Sequence, residues 1–283
     1  MMKKLTVLYI CIIVAFLAFT VTLFSREVLA PASAQPGVSA AQAILIDART
    51  GKVLYEKEAD EKAYPASTTK IMTALVTLEV LEELKSDPQQ TVKIPAAAVG
   101  TEGSSIYLAA DEEVRIIDLL YGLMLRSGND AAVALAEIIG GNTEHFVEMM
   151  NARAAELGCT GTNFLNPNGL FDENHYTTVR DMALIAAEAM KNPTFREISA
   201  AREWQAKRAP DKYNYFYNKN KVVHQYEGGS GIKIGFTKAS GRTLVASAKR
   251  GETEVICVVM GAPDWFNDAY RLMDYGFERL GAD

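Results

Sequence analysis

The sequence predicts a single α+β domain in which one antiparallel β-sheet is flanked by helices. Three observations support this fold class. Alternating apolar patterns typical of strands occur near both ends of the chain, and the middle third has apolar residues at helical spacing. Neither a repeat nor a change in composition divides the chain of 283 residues. The N-terminal hairpin and the C-terminal strands are therefore expected to pair side by side in one sheet.

The first 34 residues are predicted to direct the protein out of the cytoplasm. The sequence MMKK precedes an apolar run over residues 5–24, and the small-residue stretch Ala32-Ser33-Ala34 follows. This order is typical of an export signal that is cleaved after Ala34, whereas about 20 apolar residues could also remain as a membrane anchor. Residues 35–40 are predicted to be a tether and residues 41–283 the folded domain, outside the cytoplasmic membrane. Any membrane attachment is expected through residues 5–24.

The composition of the chain excludes few classes of protein. Hydrophobic residues make up 49% of the chain and the net charge is −6, as in an ordinary globular protein, and no basic cluster favours nucleic acid. Cys159 and Cys257 are the only cysteines after the signal, and buried free thiols are expected. The three histidines lack metal-ligand spacing, so neither a metal nor another cofactor is predicted.

Elements of the first two thirds follow from local patterns. AILIDA and KVLYEKE predict a hairpin with Gly51 in its turn, a helix is expected from Ser67 to residue 84, and TVKIP predicts a short strand. EVRIIDLLYGLMLR and DAAVALAEIIG predict two helices, which are separated by Ser127-Gly128-Asn129. A further helix is predicted to end at Gly158, and Thr178 with Asp181 resembles a capping box that opens the next one.

The last third predicts strands and one final helix. Residues 203–207 are expected to be extended, GIKIGFT, TLVASAK and EVICVVMGA predict three strands, and residues 264–280 predict an amphipathic helix. In GIKIGFT, Ile232, Ile234 and Phe236 alternate with Lys233, Gly235 and Thr237, so this strand is expected to bury its apolar face and expose the other.

Three short motifs carry residues with chemical potential. In PASTTK, Ser67 and Lys70 share one face of the first helical turn, so Lys70 could take the serine proton; equally, Ser67 could only cap the helix and Lys70 be solvated. In LRSGND, Ser127 and Asn129 could serve a cleft or form an ordinary turn. Lys233 could recruit a carboxylate and Gly235 could admit a substrate backbone, or Lys233 could only protect an edge strand.

In this order, the three motifs resemble those of the serine-type D-alanyl-D-alanine carboxypeptidases, the low-molecular-mass penicillin-binding proteins. The resemblance extends over AYPASTTKIMTAL, MLRSGNDAAVALAE, NPNGLFDENHYTTVRDMALIA and SGIKIGFTKASGRTLVASAKR, and it covers nearly all of the mature chain. It implies a β-lactamase/transpeptidase-like fold and removal of the terminal D-alanine from peptidoglycan stem pentapeptides. Stem peptides that end in D-Ala-D-Ala and β-lactam antibiotics are the implied partners.

The resemblance also implies a role for each motif residue. Ser67 would be the acylated nucleophile, Lys70 its general base, and Ser127 the donor of a proton to the departing D-alanine. Asn129 would hold the substrate amide, and Lys233 would attract the substrate carboxylate, with weaker support for Lys219 in NKNKVV. The N–H groups of Ser67 and Phe236 would form the oxyanion hole. His175 is interpreted as a structural residue of a loop beside the site.

One residue departs from the family's usual Lys-Thr-Gly motif. Ile234 occupies the position of the threonine, whose hydroxyl ordinarily donates to the substrate carboxylate. Losing such a hydrogen bond costs about 1.5–3 kcal/mol, or roughly one to two decades in rate. Either Thr237 or Lys219 supplies the missing donor and turnover persists, or the protein is a weakly catalytic or inactive binder of stem peptides. A serine β-lactamase is less favoured, because the E-x-x-L-N string of its deacylation loop is absent from the sequence. Asn168, in NPNGL, stands where the family often has histidine.

Overall fold

A five-stranded antiparallel sheet is the centre of the computed structural model, which describes residues 35–282. The prediction for residues 1–34 lies outside the described residues. The strands of this sheet are β1 (Gln42–Asp47), β2 (Val53–Lys57), β7 (Gly229–Thr237), β8 (Gly241–Arg250) and β9 (Thr253–Met260). Their order is β2-β1-β9-β8-β7, so the N-terminal hairpin pairs with the C-terminal strands as the sequence predicts.

Eight helices surround the sheet within the described part of the chain. They are α1 (Lys70–Glu83), α2 (Ile116–Tyr121), α3 (Asn129–Gly140), α4 (Thr143–Glu156), α5 (Val179–Ala189), α6 (Pro193–Ala200), α7 (Val222–Gln225) and α8 (Trp265–Leu280). The fold class predicted from the sequence, an antiparallel sheet with flanking helices, is confirmed. Among residues 35–282, no helix is long and apolar enough to cross a membrane.

The sheet separates two apolar cores. On one side, Ile44, Val245 and Val258 pack with the helices of the middle of the chain, including Met72 and Leu75 of α1. On the other side, the alternate residues of the same strands pack against α8. Members of this second group, the α8 cluster, include Leu45, Leu244, Cys257, Leu272 and Met273. Both faces of the sheet are therefore covered, and one edge, β7, borders the polar motifs.

β7 differs from the half-buried strand that the sequence predicts. Ile232 and Lys233 are both almost completely buried, whereas Phe236 is 65% exposed. The reason is that both faces of the sheet are packed, so simple alternation does not separate inside from outside. The residues expected on the exposed face, Lys233 and Gly235, are buried toward the helices.

Several other boundaries differ from the predictions. EVRIIDLLYGLMLR is not one helix: Glu113–Arg115 forms strand β4, α2 follows, and Gly122–Arg126 forms a π-helical turn. The sequence also missed α6 and the pairing of two short two-stranded sheets. These pairs join β3 (Thr91–Lys93) to β4, and β5 (Glu203–Gln205) to β6 (Tyr215–Tyr217).

The predicted tether, residues 35–40, is attached to the domain at its C-terminal end. Ser39 Oγ donates to Asp268 Oδ2 at 2.6 Å, and Ala40 N donates to the same oxygen at 2.9 Å. Ala40 is fully buried. Ser39 and Ala40 are therefore fixed to α8, because its buried carboxylate accepts from their N–H and O–H groups, and the tether over residues 35–40 stays a prediction. Cys159 and Cys257 are buried free thiols, as expected.

Helix ends follow the sequence signals more closely. Gly158 has φ +79° and its N–H donates to Ala155 O, so it ends α4 as predicted. Thr178 Oγ1 accepts from Asp181 N at 3.0 Å and caps α5. The reciprocal half of the capping box is absent, because the Asp181 carboxylate accepts from Gly161 N and Thr162 Oγ1 instead.

Candidate active site

Ser67 lies in a tight turn immediately before α1. Residues 66–69 form a 3₁₀ turn, and Ala66 has φ +48°, a conformation that non-glycine residues rarely adopt. The Pro65 carbonyl is held by the hydroxyls of Thr68 and Thr243, at 2.7 and 3.1 Å. These contacts tie the serine turn to both α1 and β8. The Ser67 side chain is thus presented from a rigid, strained turn.

Lys70 is fully buried beside Ser67, which excludes the interpretation of a solvated lysine. Its Nζ lies 3.0 Å from Ser67 Oγ and 2.7 Å from Asn129 Oδ1, and it also donates to the Asn168 carbonyl. Burial, together with the positive charge of Lys233, lowers the pKa of Lys70 well below its usual range, although Asp130 opposes this. Two neighbours of Nζ are pure acceptors, so a neutral amine would direct its lone pair toward the Ser67 hydroxyl.

Asn129 is the first residue of α3 and connects Lys70 to a neighbouring loop. Its Oδ1 accepts from Lys70, while Nδ2 donates to Glu102 O at 2.6 Å and its backbone N donates to Ser104 O at 2.7 Å. Each amide group retains capacity for one further hydrogen bond. The sequence predicts that Asn129 binds substrate; the structure adds that it positions Lys70.

Ser127 lies at the end of the π-helical turn. It has φ +63° and is largely buried. Within the described residues, the Ser127 hydroxyl makes no hydrogen bond to another protein group. Ser127 and Gly128 separate the π-helical turn from α3, in agreement with the predicted break between two helices, and the Ser127 hydroxyl is left available for another partner.

Lys233 and Gly235 lie on the buried face of β7. Lys233 Nζ donates to Ile234 O at 3.0 Å, and burial together with the charge of Lys219 lowers the pKa of Lys233 to about 7. A Cβ atom on Gly235 would come within 2.9 Å of Ser67 N, so the backbone of β7 lies directly against the turn that carries Ser67. The structure therefore brings the first and third motifs together.

The other predicted binding residues occupy the borders of this site. Phe236 is exposed on the edge strand, next to Gly235. Thr237 Oγ1 lies 2.8 Å from Ser240 Oγ and accepts from Ser240 N at 3.0 Å, so its hydroxyl is engaged in the β7–β8 turn. Lys219 is exposed; partial burial of its amine and the neighbouring Arg126 lower its pKa. Lys219 is thus better placed than Thr237 to replace the hydroxyl donor that Ile234 lacks.

A loop over residues 163–177 supplies contacts that the motifs do not reveal. Asn166 Oδ1 accepts from Gly169 N at 2.7 Å, and this turn directs the Asn168 carbonyl to Lys70. A Cβ atom on Gly169 would overlap the Ala66 carbonyl. The string NPNG predicts a turn. It does not reveal the contact of the Asn168 carbonyl with Lys70, because a backbone carbonyl is present whatever the side chain.

His175 ties this loop to α1. Its Nδ1 accepts from Leu165 N at 3.0 Å, which leaves Nε2 as the donor to Thr69 Oγ1 at 2.8 Å. Burial and the charge of Lys70 lower the pKa of His175 to about 4, despite the nearby carboxylate of Asp172. His175 is therefore a neutral structural residue beside the site, in agreement with its interpretation from the sequence.

Asp130, which the sequence motifs do not single out, fixes the loop on the opposite side. Its buried carboxylate accepts from Ser105 Oγ at 2.6 Å and from the N–H groups of Ile106 and Leu108 at 3.1 Å. The adjacent Ser104 carbonyl holds Asn129. A carboxylate next to the motif thus rigidifies its surroundings without reaching Ser67.

Together these groups can carry out acyl transfer. Ser67 provides a hydroxyl, Lys70 an amine of lowered pKa in contact with it, and Lys233 a buried cation on the adjoining strand. A nucleophile, its base and an anchor for a substrate anion are the parts that covalent catalysis requires.

Comparison with known proteins gives an independent result. A family model described as D-alanyl-D-alanine carboxypeptidase matches residues 30–264. The chain is 39% identical over 243 residues to D-alanyl-D-alanine carboxypeptidase DacF of Bacillus subtilis, which covers 85% of this chain and 62% of that protein. It is 37% identical to DacC of Escherichia coli, over 92% of this chain and 66% of that protein. The chain therefore spans slightly less than two thirds of these relatives.

Solved structures agree with the fold. The Streptomyces K15 DD-transpeptidase is 34% identical and superposes with a TM-score of 0.79, over 86% of this chain and 98% of that one. The D-alanyl-D-alanine carboxypeptidase DacD of Francisella tularensis is 28% identical, with a TM-score of 0.80 over 86% of this chain and 71% of that chain.

Proposed function

This chain belongs to the D-alanyl-D-alanine carboxypeptidase family, and from that premise we propose that it removes the terminal D-alanine from peptidoglycan stem pentapeptides. The reaction proceeds through an acyl-enzyme on Ser67. The observation that carries this proposal is the contact between Ser67 Oγ and the buried amine of Lys70.

Acylation begins when neutral Lys70 takes the proton of the Ser67 hydroxyl. The serine oxygen then attacks the carbonyl carbon of the penultimate D-alanine, and the oxyanion accepts hydrogen bonds from the N–H groups of Ser67 and Phe236. Ser127 passes a proton to the departing amine, so the peptide bond breaks and free D-alanine leaves. Water then hydrolyses the ester and returns the proton to Ser67.

Recognition of the substrate's C-terminal carboxylate is assigned to a cluster of three cationic side chains. Lys219, Lys233 and Arg126 influence one another electrostatically, and among residues 35–282 none of them forms an ion pair with a carboxylate. A substrate carboxylate would supply the missing negative charge and raise the pKa of Lys233. Asn129, with one donor and one acceptor site left, would hold the substrate amide.

The proposal extends to inhibitors and location. A β-lactam would acylate Ser67 by opening its ring amide, because that amide carbonyl takes the place of the scissile peptide. The substrate lies in the cell envelope, and residues 1–34 would act as the export signal or anchor that brings the domain there.

Mapping the adduct of a fluorescent penicillin tests this function directly. The native protein should carry the label on the peptide that contains Ser67 and should release D-alanine from a pentapeptide. Ser67→Ala should do neither, while Ser86→Ala, a partly exposed serine outside the site, should do both. Labelling at another residue, or labelling of Ser67 without any D-alanine release, would contradict the proposed activity.

A further inference from the structure

An open apolar groove of about 490 Å³ lies beside the nucleophile and is not used by the steps above. It is lined by Phe171, Thr237, Lys238 and Ala239. Phe171 is 51% exposed, and its ring packs edge-on against Tyr64, with centroids 4.9 Å apart and an interplanar angle of 81°. The exposed aromatic face is therefore held in a fixed orientation rather than mobile in solvent.

The direction of the substrate follows from the two ends of β7, and this step rests on the proposed function. Lys233 precedes Gly235 along the strand, whereas Thr237 and Lys238 follow it. Only one residue, the departing D-alanine, lies between the scissile bond and the carboxylate that the cationic cluster attracts. The rest of the stem peptide must therefore run the other way, toward Thr237, which at strand spacing is about 7 Å beyond Gly235.

Phe171 lies on this same side of the nucleophile. It is two residues after Gly169, which abuts the Ala66 carbonyl, and it packs on Tyr64, three residues before Ser67. A stem peptide acylated on Ser67 would place the side chain of its third residue over the Phe171 ring. An aliphatic chain is the chemistry that suits this surface.

Lys238 gives the groove a charge preference. Its side chain is exposed and forms no ion pair within the described part of the chain. An anionic group at the end of the third residue would find a partner in Lys238, whereas an ammonium alone would be repelled.

We propose that Phe171 and Lys238 form a subsite for the third residue of the stem peptide, selective for a diamino dicarboxylic acid with a free carboxylate. Phe171 packs against the aliphatic part of that side chain, and Lys238 pairs with the carboxylate.

Two pentapeptides that differ only at position three test this subsite, one with meso-diaminopimelic acid and one with L-lysine. The native protein should favour the diaminopimelic peptide in kcat/KM. Lys238→Gln should reduce that preference by roughly threefold, as expected for one exposed ion pair. Phe171→Ala should lower kcat/KM for both peptides by about fivefold, through lost apolar contact.

Matched controls separate this subsite from the catalytic groups. Lys52→Gln removes an exposed lysine and Leu84→Ala removes an exposed apolar side chain, both distant in sequence from Phe171 and Lys238. Neither control should change the preference between the two peptides or kcat/KM. Acylation by 6-aminopenicillanic acid, which has no acyl side chain, should be unchanged in Phe171→Ala. An unaltered preference in Lys238→Gln, or equal loss with 6-aminopenicillanic acid in Phe171→Ala, would overturn the subsite. A native protein that no substrate acylates would instead contradict the proposed function.

Discussion

Gly235 of β7 and Ser67, in the turn before α1, are in backbone contact. A Cβ atom at position 235 would come within 2.9 Å of Ser67 N and 2.5 Å of Thr243 Oγ1. The edge strand and the serine turn therefore depend on the absence of a side chain at this position. This contact sets the width of the cleft between Ser67 and β7.

Gly235→Ala should consequently slow acylation by a penicillin at least 100-fold, because an added methyl must displace either the turn or the strand, and an ångström-scale misplacement costs about this much. The matched control is Gly251→Ala, at φ +55° with open space around it, which should lose about 1 kcal/mol of folding free energy but keep its acylation rate. Rates come from stopped-flow labelling. Equal acylation by the two variants would show that the contact is not needed.

Two buried lysines should give kcat/KM a bell-shaped pH dependence. In the proposed mechanism acylation requires Lys70 neutral, and burial with the charge of Lys233 lowers the pKa of Lys70 well below the usual range, so activity should rise as this proton is lost. Recognition requires Lys233 charged, and its pKa is about 7, so activity falls as pH rises above about 7. Because the two lysines interact, the apparent pKa values of the rising and falling limbs describe the Lys70–Lys233 pair and not either lysine alone.

Lys219→Gln tests the falling limb. Removing the Lys219 charge should raise the pKa of Lys233 and move this limb to higher pH, in a profile measured from about pH 5 to about pH 9. Lys221→Gln, two residues away, serves as the control with an unchanged profile. A falling limb at the same pH in both variants would assign the titration to another group.

His175 should make the fold sensitive to acid. Its pKa is about 4 in the folded protein and about 6.5 in an unfolded chain, so the folded state resists protonation. The corresponding stability is complete above about pH 6.5 and is lost as pH falls toward about 4, at a limit of about 3 kcal/mol. Urea unfolding across this range should show a steeper loss for the native protein than for His175→Gln. Parallel curves would exclude this role, and His145→Gln should retain the native slope.

Much of the fold could be predicted because its signals are local. The hairpin, α1, α4, α5 and the C-terminal strands carry periodicity and end signals in a few adjacent residues. The π-helical turn at Gly122–Arg126 could not be predicted, since a helical apolar pattern does not distinguish π from α hydrogen bonding.

The sequence predicted the part of the candidate site that side chains form and missed the part that backbone groups form. Ser67, Lys70 and Asn129 stand in a motif, and the structure brings them within hydrogen-bonding distance. The Asn168 carbonyl and the buried state of Lys233 depend on tertiary packing, which alternation along one strand does not encode. The residues that hold these groups in place, such as Asp130, contact distant segments of the sequence, so they can be recognised only once the fold is known.

A buried ion pair should hold the loop that carries Glu102 and Ser104. Arg208 contacts both oxygens of Glu112, at 2.7 and 2.9 Å, and also donates to the carbonyls of Ile106 and Tyr107. Burial opposes ionisation of Glu112, yet the Arg208 hydrogen bonds hold its pKa below the usual range. Glu112→Gln would leave a buried cation without a countercharge and should cost about 3–5 kcal/mol in unfolding free energy. Glu113→Gln, exposed and adjacent, should cost less than about 0.5 kcal/mol; similar losses would contradict the pairing.

Ile234 is half-buried and packs against the α8 cluster, on the face of the sheet that also carries Leu244, its partner on β8. In the Lys-Thr-Gly motif that Lys233-Ile234-Gly235 resembles, the threonine at this position donates its hydroxyl to the substrate carboxylate. Ile234 therefore has a packing role. The loss in substrate recognition that isoleucine causes at this position is a separate quantity, which substitution can measure.

Ile234→Thr and Ile234→Val separate these two effects, since threonine and valine have the same shape and differ by one hydroxyl. Ile234→Val should lose about 1 kcal/mol of unfolding free energy through the missing methyl group, and Ile234→Thr should lose more, because its hydroxyl replaces an apolar group beside the α8 cluster. Ile234→Thr should exceed Ile234→Val in kcat/KM for a pentapeptide by roughly tenfold or more, because a hydroxyl donates to the substrate carboxylate and a methyl does not. The gain should vanish with a peptide amide that lacks the carboxylate. Equal rates for the two variants would mean that the Lys219 and Lys233 charges alone suffice to bind this carboxylate.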